Sequence, residues 1–265
     1  MHAEALLVDD QRTDSAHGCI GGTADPAPSG RAAATGSQPL SIYDFDRTLT
    51  LAPTYSAFLL FAARRLAPWR LLMLPLLVPH AIGYAAKRVD RNAMKAAMHR
   101  IALGQLVRPT AEKVAQAYAE HVRDNNLSQA ALRQIAAEKA EGRRIVLATA
   151  APRLYAEPLA RLIGIDDVIA TQDGWAGDVL LPAISGRNCY GGEKLARIRG
   201  WLSEQGVERS ATHIRFYSDH ISDLPSFEFC DEAVVVNPCR RLQAVAAERR
   251  WPVLDWRTPT QSRLA

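Results

Sequence analysis

Apolar positions fall into order only from Pro39 onward. Residues 40–46, LSIYDFD, form a short apolar run ending in two carboxylates, as in a buried strand that delivers acids to its C-terminal edge. Strand-like runs return at Arg143–Ala148, Val168–Thr171, His213–Tyr217 and Ala233–Val236. Between them the spacing turns helical, over Arg153–Ile163, Glu193–Gln205 and Arg240–Arg250. Strands alternating with helices predict an α/β protein with a doubly wound parallel sheet. Residues 54–138 read almost wholly as helix, broken at Pro68, Pro75, Pro79 and Pro109. Lying between the first and second strands, they are expected to form an inserted α-helical cap. Asp173-Gly174 and Gly177-Asp178 read as turns of a small hairpin ahead of Lys194. No internal repeat is present.

The expected domains follow. Residues 1–38 are rich in Ala, Gly, Ser, Asp and Pro without periodicity, and read as a disordered tail. Residues 39–53 and 139–257 form the core, 54–138 the cap, and 258–265 a C-terminal tail. The opening MHAEALLVDD lacks a basic segment followed by an apolar run, so no secretory signal is expected. Trp201, Trp251 and Trp256 are expected to fill core or cover an edge.

Composition narrows the class. The 265 residues are 48% hydrophobic and 23% charged, which excludes collagenous, wholly disordered and disulfide-scaffold chains. A net charge of +4 is too mild for a nucleic-acid binder. Cys19, Cys189, Cys230 and Cys239 show no paired spacing, which suits reduced thiols in a cytoplasm.

The charge is unevenly placed. From Phe61 to Arg108 stand Arg64, Arg65, Arg70, Lys87, Arg88, Arg91, Lys95, Arg100 and Arg108 against the single acid Asp90, so the remainder is net acidic. Within that block, Leu71–Ala86 carries no formal charge. A spanning helix needs about 20 apolar residues, and Pro75, Pro79, His80 and Gly83 interrupt this stretch. Two readings stand: an apolar helix pair buried inside the cap, or an interfacial element whose basic flanks meet anionic lipid. The second allows a cytoplasmic protein held peripherally at the inner face of the membrane.

Four clusters fall at strand ends or helix starts, where open parallel sheets bind ligands. They are Asp44-Phe45-Asp46-Arg47-Thr48, Thr149, Lys194 after Gly191-Gly192, and Asp219-His220-Ile221-Ser222-Asp223. A carboxylate can attack phosphorus and split a hard hydrolysis into two easier steps. A second carboxyl two residues on can protonate the leaving oxygen and later activate water. The phosphoryl dianion needs cations, which a lysine and a divalent ion on oxygen ligands can supply. A threonine hydroxyl can donate to a phosphoryl oxygen. His220 can touch substrate or sit on the surface, and Arg47 can face the cap or be solvated.

These residues, in this order, resemble the haloacid dehalogenase superfamily of phosphatases, subfamily IB, the phosphoserine phosphatase-like group. The resemblance covers residues 40 to about 256 and implies a Rossmann-like core. It implies an Mg²⁺-dependent phosphomonoester hydrolase working through an aspartyl-phosphate. Asp44 would be the nucleophile and a metal ligand. Asp46 would be the general acid/base, its backbone carbonyl on the metal, with Thr48 orienting the loop. Thr149 and Lys194 would bind phosphoryl oxygens, Asp219 would ligate Mg²⁺, and Asp223 would act from behind it.

Phosphoserine phosphatases have a Glu seven residues after the second Asp, where Pro53 stands here. That departure counts against phosphoserine itself. The apolar, basic cap is similar to that of the phosphatidylglycerophosphatase C group, which acts on lipid phosphate. The implied substrate is therefore a small-molecule or lipid phosphate ester, with an amino-acid phosphate as the alternative. Asp46 and the run Arg47-Thr48-Leu49 argue against a dehalogenase and a P-type ATPase. A DxD glycosyltransferase would not need Thr149 and Lys194. A catalytically silent membrane-surface module is the reading from a different class.

Overall fold

The computed structural model describes residues 38–165 and 167–257, so the expected tails 1–38 and 258–265, and Cys19, fall almost wholly outside the described residues. In chain order the elements are β1 (Leu40–Tyr43), α1 (Tyr55–Leu66), a 3-10 segment (Pro68–Leu77), α2 (Val78–Ala85), α3 (Arg91–Ala102), β2 (Leu106–Val107), α4 (Arg108–Asn125) and α5 (Gln129–Ala140). There follow β3 (Arg144–Pro152), α6 (Arg153–Leu162), β4 (Asp167–Ala176), β5 (Val179–Ser185), α7 (Gly192–Glu204) and β6 (Ile214–Ser218). The chain closes with α8 (Leu224–Phe229), β7 (Glu232–Val236), α9 (Arg240–Arg249) and β8 (Val253–Leu254).

Among the described residues the strands form one sheet in the order β2-β5-β4-β3-β1-β6-β7-β8. From β4 to β8 every pairing is parallel, and only the β4–β5–β2 edge is antiparallel. Alternation along the strands loads both faces. Ile42, Val146, Phe216 and Val235 pack with Ile198 of α7, Phe227 of α8 and Leu242 of α9. Their neighbours Tyr43, Leu147, Tyr217 and Val234 pack on the opposite side with α1, α4, α5 and α6. Each fully buried apolar side chain contributes roughly 1.5–3 kcal/mol, enough to fix this register against a one-residue slip.

Several sequence expectations need correction. The first strand ends at Tyr43, and the acids after it lie in the following turns. Thr149 lies inside β3, which runs on to Pro152 through a bulge because pairing with β4 continues to Thr171. The block 54–138 is not wholly helical: β2 within it pairs with β5. Gly177-Asp178 turns the β4–β5 hairpin, whereas Asp173-Gly174 lies within β4 at a register shift. A Cβ on Gly174 would fall 2.2 Å from the Ala183 carbonyl oxygen, so only glycine allows that close pairing. Trp256 is buried against Tyr43 and Tyr217, and Trp251 stacks on Phe227.

Leu71–Ala86 is not buried inside the cap. Neither the 3-10 segment nor α2 contains a buried residue. Among the described residues, no helix is long and apolar enough to cross a membrane.

Candidate active site

The three central strands β3, β1 and β6 carry the chemistry to one edge. Asp44 follows β1, and its amide continues the ladder to the Tyr217 carbonyl at 2.8 Å. Asp219 follows β6, and Thr149 stands at the bulged end of β3. Gly191, at a φ of 61° that residues with side chains rarely adopt, turns the chain into α7 and sets Lys194 in its first turn. Asp223 closes a 3-10 turn, Ile221–Asp223, before α8. Asp44, Thr149, Lys194, Asp219 and Asp223, with Asp46, Arg47, Pro53, Tyr190 and His220, line one cavity of about 290 Å³.

Lys194 organises the floor. Its Nζ donates to Asp44 Oδ1 at 2.7 Å and to Asp223 Oδ2 at 2.6 Å, and Ser218 Oγ also donates to Asp223 Oδ2 at 2.7 Å. The lysine is almost fully buried. Burial works against its ammonium, but Asp223 and Asp44 more than offset that and raise its pKa. Burial and the neighbouring acids raise the Asp44 carboxyl in turn, against the pull of Lys194.

Asp219 is treated differently. Its carboxylate takes no hydrogen bond from any described residue. Burial, Asp44 and Asp223 push it up to about 8. Three acids thus face one lysine, leaving the floor with excess negative charge.

Asp46 sits on the loop beyond β1, where Thr54 holds it. The Thr54 amide and hydroxyl donate to Asp46 Oδ1 at 2.8 and 2.7 Å. Burial raises the Asp46 carboxyl and these two hydrogen bonds pull it back. Arg47 takes a positive φ of 61°, a strained conformation for a residue with a side chain, and Asn237 Nδ2 donates to its carbonyl at 2.8 Å. Thr50 Oγ1 accepts the Arg47 amide at 3.2 Å. Thr48 is fully buried and its hydroxyl has no partner among the described residues. The loop's hydrogen bonds therefore come from Thr50, Thr54 and Asn237, which the motif reading did not single out. The only available signal was the density of threonines after the acids, LTLAPT.

Two further residues wall the cavity. His220 is half-buried, lines the cavity and lies beside Tyr190, with ring centroids 6.3 Å apart. Its Nδ1 accepts the Ser222 amide at 3.2 Å, so it also caps the 3-10 turn. Pro53 stands in the cavity wall.

The donor chemistry fits a hard divalent cation. Among the described residues no three His, Cys, Asp or Glu side chains close into a ready cage. Mg²⁺ does not require one, because it keeps several waters and uses one or two carboxylates. Asp219, buried without a hydrogen-bond donor, and the excess negative charge beside Asp44 are what such an ion would satisfy.

Residues 42–228 match the family model of the haloacid dehalogenase-like hydrolases. A probable phosphatase of Mycobacterium tuberculosis is 37% identical over 134 residues, 49% of this chain and 44% of that protein. The chain thus spans less than half the length of that relative. A protein of unknown function from Bordetella pertussis Tohama I superposes with a TM-score of 0.72 at 21% identity, over 83% of this chain and 99% of that one. A phospho-aspartyl intermediate analogue of phosphoserine phosphatase superposes with a TM-score of 0.55 at 13% identity, over 83% and 93%. These two likenesses establish the shared fold.

Proposed function

The chain belongs to the haloacid dehalogenase-like hydrolase family, and we propose that it hydrolyses phosphate monoesters through an aspartyl-phosphate on Asp44. One observation carries this reading: Lys194 bridges Asp44 and Asp223 at the floor of a cavity that also gathers Asp46, Thr149 and Asp219.

Lys194 occupies Asp44 Oδ1, leaving Oδ2 to attack phosphorus. The bond to the leaving oxygen breaks as Asp46, its carboxyl raised by burial, gives that oxygen a proton. Thr149 Oγ1 accepts the Ala151 amide at 3.0 Å, so its own proton remains to donate to a phosphoryl oxygen. Lys194 stabilises the charge that gathers there. Asp46, now a carboxylate, takes a proton from water as the water attacks phosphorus, which frees phosphate and restores Asp44. Asp44, Asp219 and the Asp46 carbonyl would hold Mg²⁺, which neutralises phosphoryl charge when bound. Asp223 acts on Lys194 from behind.

The cap expected from residues 54–138 is, in this reading, the segment that selects substrate. Pro53 offers no carboxylate for an ammonium group, so the substrate class we favour is a lipid phosphate or another small phosphate ester without one. Turnover of p-nitrophenyl phosphate with Mg²⁺, compared with EDTA, tests the reading. Hydrolysis should require the metal, and beryllium fluoride should block it only when Mg²⁺ is present. Absence of turnover with metal and a range of phosphate esters would overturn it.

A further inference from the structure

The apolar stretch of the cap is its least buried part. Leu72 is 83% exposed, Ile82 65% and Trp69 58%, and Leu76, Val78 and Tyr84 are also exposed. The 3-10 segment of 10 residues and the 8-residue α2 follow one another directly, and Pro68, Pro75 and Pro79 keep them from becoming a single long helix. The 3-10 segment is tied to α3. The Arg70 guanidinium donates to the Arg100 and Ile101 carbonyls of α3 at 3.2 and 3.3 Å. At the far end the Arg88 amide closes on the Gly83 carbonyl at 2.8 Å.

Exposing this much apolar surface in water is costly, and patches of this kind mark interaction sites. The charges around it select the occupant. Arg64 and Arg65 end α1 just before the segment, and Lys87 and Arg88 follow α2, all of them exposed. None of the four forms an ion pair among the described residues. Asp90 is the single acid of the block Phe61–Arg108, and its carboxylate caps α3 by accepting the Ala93 amide at 2.6 Å. A second copy docked face to face would bring these four cations against their own counterparts. An anionic bilayer would instead receive the apolar side chains in its headgroup boundary and attract the cationic fringe.

We propose that residues 66–88 form a docking surface for anionic membrane, on which the protein lies without spanning it. This surface goes beyond the catalytic reading and does not depend on it. It gives a role to Arg64, Arg65, Lys87 and Arg88, four of the nine basic residues of the block Phe61–Arg108.

Co-sedimentation of the full chain with vesicles decides the matter. The protein should pellet with vesicles of phosphatidylglycerol and phosphatidylcholine, and stay in the supernatant with phosphatidylcholine alone. Raising salt shortens the Debye length from about 10 Å at 0.1 M and should release it. Leu72→Ser with Leu76→Ser, or Lys87→Glu with Arg88→Glu, should each lower the bound fraction at least about fivefold. Circular dichroism and turnover of p-nitrophenyl phosphate should match the unsubstituted protein, because none of these residues lines the cavity. Loss of turnover by the unsubstituted protein would count against the catalytic reading while leaving sedimentation interpretable. Equal pelleting with neutral and anionic vesicles would overturn the proposal. So would a soluble dimer that Leu72→Ser disperses, since that would make this face a contact between copies.

Discussion

The C-terminal ends of β1 and β6 serve two buried carboxylate clusters that are built in opposite ways. Tyr43 and Tyr217 turn toward α5 and its Glu138, while Asp44 and Asp219 lie at the rim of the sheet, on the cavity floor. Glu138 is wholly buried but surrounded by donors: Tyr43 Oη at 3.0 Å, Arg215 Nη1 at 2.6 Å and the Tyr217 hydroxyl. The two tyrosine rings stack with centroids 4.3 Å apart, and Trp256 covers them. Burial would raise the Glu138 carboxyl, yet hydrogen bonds from Ser41, Tyr217, Arg215 and Tyr43 overcome it and hold the pKa below the usual range. At the rim burial prevails, and the acids are raised. One cluster is satisfied and serves stability. The other is left short of positive charge, which suits the proposed binding of a divalent cation and a phosphoryl group.

The largest expected effects separate the two by kind. Asp44→Asn should cost about 10³-fold or more in kcat while leaving the thermal midpoint near that of the native protein, because only one of Lys194's two acids is lost. Glu138→Ala should do the reverse. Removing the carboxylate leaves the Tyr43 and Tyr217 hydroxyls without their acceptor and Arg215 with Glu232 alone, with a loss of about 3–5 kcal/mol, while the folded fraction keeps its turnover. Urea unfolding and turnover measured on both variants check this. Matched losses of stability and rate in either variant would dissolve the distinction.

That distinction was only half legible in the sequence. The rim could be read because its acids follow apolar runs directly: a strand ending in Asp44 and another before Asp219 place both at one sheet edge. The helix at 193–205 and the lysine at its start were equally plain. Glu138 was not, because it lies in AAEKAEG, which reads as the solvated face of a helix. Its burial depends on Tyr43 and Tyr217 becoming neighbours across a parallel pair, and no local pattern encodes that. The support of Asp46 by Thr54, eight residues away, depends on how the loop folds back. Likewise, spacing alone could not say whether Leu71–Ala86 faced inward or outward, since an apolar run suits both.

Acid and base should move the two clusters in opposite directions. The folded chain keeps the Asp219 proton up to about 8, whereas an unfolded aspartate loses its proton near 4. Its contribution to metal-free stability is therefore full below about pH 4 and is lost as pH rises toward 8. Asp219→Asn stays neutral, so in EDTA it should be more stable than the native protein above pH 8, by on the order of 2 kcal/mol, with the gap closing toward pH 4. Glu138 has the opposite sign. Its lowered pKa gives stability that is present above the ordinary glutamate range and lost as pH falls, so the deficit of Glu138→Gln should be greatest near neutrality. Urea midpoints across pH test both. A gap for Asp219→Asn that widens toward acid would refute the uncompensated burial of the rim.

The smallest expected effect tests the support beneath the rim. The Thr54 hydroxyl donates to Asp46 Oδ1, so it favours the carboxylate over the acid. Thr54→Val removes that donor and keeps the shape and the amide hydrogen bond. Asp46 should then hold its proton to higher pH, moving the basic limb of kcat/KM upward by about half a unit. Turnover near neutrality should change less than about threefold. Thr48→Val is the matched control. The Thr48 hydroxyl is buried without a partner, so losing it should leave the pH profile in place. A displaced profile in Thr48→Val with none in Thr54→Val would mean that Thr48, not Thr54, orients the acid.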